Sequence, residues 1–169
     1  VVSIGDWAFN GCTGLTDINI PSSIKTIGHR AFGSCQGLSN VTIPNGVTSI
    51  GGGAFADCTG IETITIPKSV ILMGKGTFTG CINLKKAIFM GKKPSYFAED
   101  PRDKNTVLND TIFNNTHKDF ILYYPKWYEK NWRDYTYYPK QPHYQGGLAV
   151  ESIVINRKKI TDGKLSLIH

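Results

Sequence analysis

The sequence predicts a repeat solenoid of the α/β type: short parallel strands alternate with short helical or 3-10 turns, and a capping segment closes the C-terminal end. Two observations carry this prediction. A 23-residue unit runs four times without a gap, as SIGDWAFNGCTGLTDINIPSSIK from Ser3, TIGHRAFGSCQGLSNVTIPNGVT from Thr26, SIGGGAFADCTGIETITIPKSVI from Ser49 and LMGKGTFTGCINLKKAIFMGKKP from Leu72. Inside each unit the apolar period changes, from i, i+3 spacing between Ala8-Phe9 and Cys12 to alternation over Leu15 to Ile20.

Each phase of the unit has a structural reason. Ile4, Ile27, Ile50 and Met73 share one phase and are followed by Gly5, Gly28, Gly51 and Gly74. Phenylalanine recurs at Phe9, Phe32, Phe55 and Phe78, and cysteine three residues later at Cys12, Cys35, Cys58 and Cys81. The alternating stretch reads as a strand, and Pro21, Pro44 and Pro67 stop it where a corner begins. One coil offers too few inward side chains to stand alone, at about 1.5–3 kcal/mol each, against about 1–2 kcal/mol of backbone ordering for every residue. Stacking equal phases supplies the missing burial, so the four strands are expected to form one parallel ladder spaced about 4.8 Å apart.

The period lies in the leucine-rich-repeat range, and the S-I-G-x-x-A-F-x-x-C-x-G-L-x-x-I-x-I-P pattern resembles the BspA-like leucine-rich repeats of bacterial and some protozoan surface proteins. The resemblance covers Val1 to about Pro94. It implies a non-enzymatic module, implicated in adhesion to host matrix proteins and other cells, at an extracellular or cell-surface location.

The remainder is assigned in order. Residues 1–136 are read as the solenoid, with four clear coils over 3–94, an insertion over 95–106, a degenerate fifth coil over 107–125 and a capping helix over 126–136. In that fifth coil Leu108 takes the isoleucine phase, Phe113 the phenylalanine phase, Thr116 the cysteine phase, and Leu122 and Tyr124 the inward strand phases. Tyr128, Trp132 and Tyr135 then fall at i, i+4, i+7 behind Pro125, as a helix that closes the open core would require. The resemblance implies the same closing segment. Residues 137–147 read as a connector. Residues 148–169 read as a short β segment, either a hairpin or the start of a further domain, with strands at Glu151–Ile155 and Lys164–Ile168 around an Asp162-Gly163 turn.

Composition narrows the function classes. No stretch approaches the roughly 18 apolar residues of a membrane span, so no membrane insertion is expected. The chain is expected to begin inside a repeat, because Val1 stands at the phase of Ile24, Val47 and Val70. A fragment of this kind says nothing about a leader or anchor. The net charge of +6 is spread thinly, six Lys/Arg against four Asp/Glu up to residue 90 and thirteen against nine beyond, which argues against nucleic acid as a partner. The strict period of the cysteines favours a buried free-thiol ladder; a bridge between adjacent rungs stays open, and no Cys/His spacing suits a metal. His29, His117, His143 and His169 are scattered, so no catalytic residues and no cofactor are predicted.

The outward residues of the strand ladder are the candidate ligand-binding face: Asp17, Asn19, Asn40, Thr42, Glu62, Thr63, Thr65, Lys85 and Lys86, with the apolar Ile88 at the far end. The expected partner of a monomeric module is a protein or glycan on a host or neighbouring cell. Two alternatives accompany this reading. The array could be a passive spacer. Alternatively, the aromatics could form a sugar-stacking site at Trp127, Tyr128 and Trp132, since thirteen of nineteen aromatics follow residue 94.

Overall fold

A computed structural model describes residues 2–97, 112–133, 147–150, 152–155, 158–161 and 164–167. The strands, in chain order, are β1 Ser3–Ile4, β2 Asp17–Asn19, β3 Thr26–Ile27, β4 Asn40–Thr42, β5 Ser49–Ile50, β6 Thr63–Ile66, β7 Leu72–Gly74, β8 Lys86–Phe89, β9 Ser95–Phe97 and β10 Ile121–Pro125. A 3-10 turn at Lys126–Tyr128 leads into helix α1, Glu129–Arg133, and β11 to β14 follow at Gly147–Val150, Ser152–Ile155, Lys158–Thr161 and Lys164–Leu167.

Each coil contributes two strands, and equal phases pair in parallel. The S-I strands form one continuous sheet in the order β1-β3-β5-β7-β9. Ile4, Ile27, Ile50, Met73 and Tyr96 follow one another across it at the same register. The longer strands form two ladders, β2-β4 and β6-β8-β10-β11. The single ladder expected from sequence is therefore interrupted between β4 and β6, although these two strands still lie side by side.

The segment from Ala8-Phe9 to Cys12 does make i→i−3 bonds, as the spacing suggested, but it does not wind into a helix. Ala8, Asn10 and Cys12 donate to the carbonyls of Gly5, Trp7 and Phe9, while Trp7, Phe9 and Gly11 donate to His29, Ala31 and Gly33 of the next coil. A helix would keep these donors for itself. Left-handed residues break it at two phases: Trp7, Arg30, Gly53 and Gly76 at the first, and Gly11, Ser34, Asp57, Gly80 and Asn115 at the second. The alternation lets the backbone of one coil bond to the next all along the turn.

The core is a column. Phe9, Phe32, Phe55, Phe78 and Phe113 stack with ring centroids 5.2, 5.4, 5.5 and 5.6 Å apart. Beside them the Cys35, Cys58 and Cys81 thiols donate to the carbonyls of Phe9, Phe32 and Phe55, at 3.1, 3.0 and 3.1 Å. All four cysteines are free, and Cys12 alone is exposed. Burial pushes the Cys81 thiol up to about 12 and raises Cys58 as well.

Strand pairing corrects the boundary of the fifth coil. Ser95, Tyr96 and Phe97 pair with Leu72, Met73 and Gly74, so Tyr96 holds the isoleucine phase assigned above to Leu108. The coil therefore starts at Ser95, where an insertion over 95–106 was expected. The extra residues fall between β9 and the turn, because Phe78 and Gly80 donate to Ile112 and Asn114, twelve residues beyond the repeat position. Residues 98–111, Leu108 among them, lie outside the described residues. The later phases agree with the sequence reading, with Phe113, Thr116, Leu122 and Tyr124 all buried.

Trp132 closes the column. Its ring stacks on Tyr124 at 5.3 Å and meets Phe89 edge-on at 4.7 Å, and its indole N–H donates to the Gly91 carbonyl at 3.1 Å. The helix is described only to Arg133, so Tyr135 and the expected connector over 137–147 are outside the described residues, except for Gly147, which opens β11. Strand β11 adds in parallel to β10. Strands β12, β13 and β14 form an antiparallel meander, in which Lys158–Thr161 separates the two strands expected to pair as a hairpin.

Candidate recognition surface

On the longer strands, alternation sends Ile18, Val41, Ile64, Ala87 and Leu122 inward and leaves two outward rows. The first row runs Asp17, Asn40, Thr63, Lys86, Ile121, and the second Asn19, Thr42, Thr65, Ile88, Tyr123. Within each ladder the register pairs Asp17 with Asn40, Asn19 with Thr42, Thr63 with Lys86, Thr65 with Ile88, Lys86 with Ile121 and Ile88 with Tyr123. Seven of the nine sequence-predicted residues lie in these two rows, and the other two, Glu62 and Lys85, stand immediately before the strands β6 and β8.

Part of this face is occupied by its own contacts. The Asn40 amide donates to Asp17 Oδ1 at 2.7 Å and the Thr16 hydroxyl to Oδ2 at 2.9 Å. The Asn40 bond, followed by that of Thr16, holds the Asp17 carboxyl below the usual carboxylate range. Lys85 and Glu62 form an ion pair at 3.3 Å with both side chains well exposed, a geometry worth about 0–1 kcal/mol. Lys86 carries no ion pair among the described residues. The face therefore grades from a self-paired acidic end at Asp17 to a basic and apolar end at Lys86, Ile88, Ile121 and Tyr123. Sequence reasoning left out Ile121 and Tyr123, although the inward assignment of Leu122 and Tyr124 already implied them.

The three C-terminal aromatics do not form a common platform. Trp132 is only 3% exposed and belongs to the cap, so it is withdrawn from the candidate sugar site. Trp127 and Tyr128 are half-buried, with rings 6.1 Å apart and tilted by 57°. The Trp127 indole N–H is buried with no hydrogen-bond partner among the described residues. Among the described residues no group of three His, Cys, Asp or Glu is placed to hold a metal ion, and no helix is long and apolar enough to cross a membrane.

A second outward cluster, which no motif announced, sits on the turn corner. Arg30 lies over the Trp7 ring at 5.5 Å, His29 meets the same ring edge-on at 5.4 Å, and the His29 backbone N–H donates to Asp6 Oδ1 at 2.7 Å.

Stacked parallel strands at a 23-residue period, a phenylalanine column and a polar strand face define a leucine-rich-repeat solenoid. The BspA type leucine rich repeat region, in six copies, matches residues 1–100, and the chain belongs to that family. No curated protein matches the sequence. Among solved structures, the chain is similar to the leucine-rich repeat protein TpLRR of T. pallidum, with 24% identity and a TM-score of 0.61 over 73% of this chain and 52% of that one. It is also similar to a leucine-rich cell surface protein of Faecalibacterium prausnitzii A2-165, with 22% identity and a TM-score of 0.51 over 99% and 43%. The pneumococcal vaccine antigen PcpA has the same fold, with 15% identity and a TM-score of 0.60 over 89% and 42%. The chain thus spans about half the length of these proteins or less.

Proposed function

We propose that this chain is a non-enzymatic recognition module displayed at the cell surface, which binds a host matrix or cell-surface protein through its strand face. The observation that carries the reading is the pair of outward rows, held in backbone register by parallel ladders over a continuous core. Such a face is preorganised, so binding loses little to ordering of side chains and loops. Its Ile88, Ile121 and Tyr123 offer the apolar and aromatic surface of an interface centre, beside Lys86, which has no ion pair among the described residues. A patch of about 800 Å² on each partner is the standard size for a stable complex. Relatives described as a cell surface protein and as a vaccine antigen support the location by analogy.

The passive-spacer reading draws on the self-paired contacts of Asp17 with Asn40 and of Glu62 with Lys85. Surface plasmon resonance separates the two. The chain is passed over immobilised host matrix proteins and glycans, beside one variant carrying Asp17→Lys, Asn40→Lys and Thr63→Lys and another carrying Lys86→Glu with Tyr123→Ala. Recognition predicts saturable binding to a matrix protein that the Lys86 and Tyr123 variant loses at unchanged circular dichroism. A folded chain that binds nothing, or binding indifferent to both variants, contradicts it. Glycan binding with quenched tryptophan fluorescence would instead favour Trp127 and Tyr128.

A further inference from the structure

The sequence spreads its cations thinly, but the fold gathers several of them. Three segments far apart in the chain, 68–71, 91–94 and 126–132, meet at the corner that follows the longer strands. Gly91 packs on Lys68, since a Cβ at Gly91 would stand 2.8 Å from the Lys68 Cα. The Trp132 indole N–H donates to the Gly91 carbonyl, and the Lys93 backbone N–H donates to Asn131 Oδ1, so helix α1 is fastened to the same corner. These segments hold five lysines, Lys68, Lys92, Lys93, Lys126 and Lys130, against one acid, Glu129. They carry four of the six net positive charges of the chain.

The patch is open and confined to the capped end. Lys68, Lys92 and Lys130 are exposed, and none of the three has an ion pair among the described residues. Earlier coils carry Ser22 and Asn45 at the phase of Lys68, and Ser23, Gly46 and Ser69 at the phase of Lys92. Like charges gathered on a fixed backbone repel one another and raise the local concentration of anions. The chemistry of the corner selects among polyanions. Lysine is a point charge that meets a sulfate from any direction, without the planar fork that arginine offers to a base edge. Bases would also need a stacking platform, whereas Trp132 is turned into the core and the Trp127 indole N–H is buried. Helix α1, at five residues, is too short to read a groove.

We propose that this corner binds a sulfated glycosaminoglycan chain, whose sulfates are met by Lys68, Lys92 and Lys130. Two neighbouring coils and the capping helix hold these lysines on fixed backbone, so one extended polyanion can engage all three. The corner lies beyond the ends of the longer strands and off their outward rows. It shares with the protein-binding reading only the cell-surface location, and either surface can fail without the other.

The test passes the 169-residue chain over immobilised heparin, chemically desulfated heparin and a DNA duplex at physiological salt. Beside it run two triple variants of equal net charge. One removes the patch, as Lys68→Gln, Lys92→Gln and Lys130→Gln, and the other removes exposed lysines elsewhere, as Lys25→Gln, Lys75→Gln and Lys118→Gln. The expected result is saturable binding to heparin that falls steeply with added salt, with little to desulfated heparin or DNA. The patch variant should lose more than tenfold in affinity, since each lysine contributes roughly fivefold against an anionic surface. The control variant should stay within about threefold of the parent, with circular dichroism unchanged in both. No binding to heparin, or equal losses in the two variants, overturns the proposal. Binding to desulfated heparin or to DNA as tight as to heparin overturns the sulfated glycan as the partner.

Discussion

Replacing Phe55 by alanine probes the column where it is most continuous. Phe55 is fully buried and stacks on Phe32 at 5.4 Å and on Phe78 at 5.5 Å. A buried Phe→Ala change costs about 3–5 kcal/mol through lost transfer and cavity terms. Two stacked neighbours place Phe55→Ala at the upper end, about 4–5 kcal/mol, since each aromatic pair adds about 0.5–1.5 kcal/mol beyond its area. Phe9 occupies the same phase, yet it is 44% exposed and has one ring neighbour, Phe32. Its loss should cost about 1–2 kcal/mol by the same reasoning. Urea unfolding followed by circular dichroism reads both, as a fall in midpoint at constant slope. Equal losses at the two positions, or a Phe55→Ala cost below about 2 kcal/mol, would refute the stacked column as the source of cohesion.

The same structure predicts three further outcomes. Gly60→Ala would set a Cβ 2.6 Å from the Leu38 carbonyl oxygen and 2.9 Å from that of Gln36, both backbone, and should destabilise by about 1–3 kcal/mol on urea unfolding. At pH 8 a maleimide should modify Cys12 in the folded chain and spare Cys35, Cys58 and Cys81, with all four labelled in denaturant, as mass spectrometry would count. The folded-state value of Asp17 is depressed, so its contribution to stability is complete above the ordinary 3.8 and is lost as pH falls through the lower folded value. An NMR titration should find that depression partly relieved in Asn40→Ala, the Thr16 bond remaining.

How much of this architecture was legible in the sequence follows from where the repeat is strict. Phe9 to Phe78 and Cys12 to Cys81 each recur at one period, and a residue that must stack on its own copy can be placed from spacing alone. Trp132 was legible for a related reason: an open column needs a large apolar closure. The fifth coil misled because two segments competed for one phase. Val107-Leu108 is apolar, but Ser95-Tyr96-Phe97 stands one repeat after Leu72-Met73-Gly74 and takes the strand. The turn misled in a smaller way, since i, i+3 spacing cannot reveal that every second N–H is given to the next coil. On the strand face, alternation located the rows, whereas the Asp17–Asn40 and Glu62–Lys85 pairings depend on side-chain geometry that spacing does not encode.

The most direct test of the recognition account is hydrogen–deuterium exchange of the chain, free and bound to the matrix protein that it captures in the resonance panel. The account predicts protection on binding over Asn40–Thr42, Thr63–Ile66, Lys86–Phe89 and Ile121–Pro125, with β3, β5 and β7 unchanged. Protection confined to those S-I strands, or spread evenly over both sheets, would contradict it.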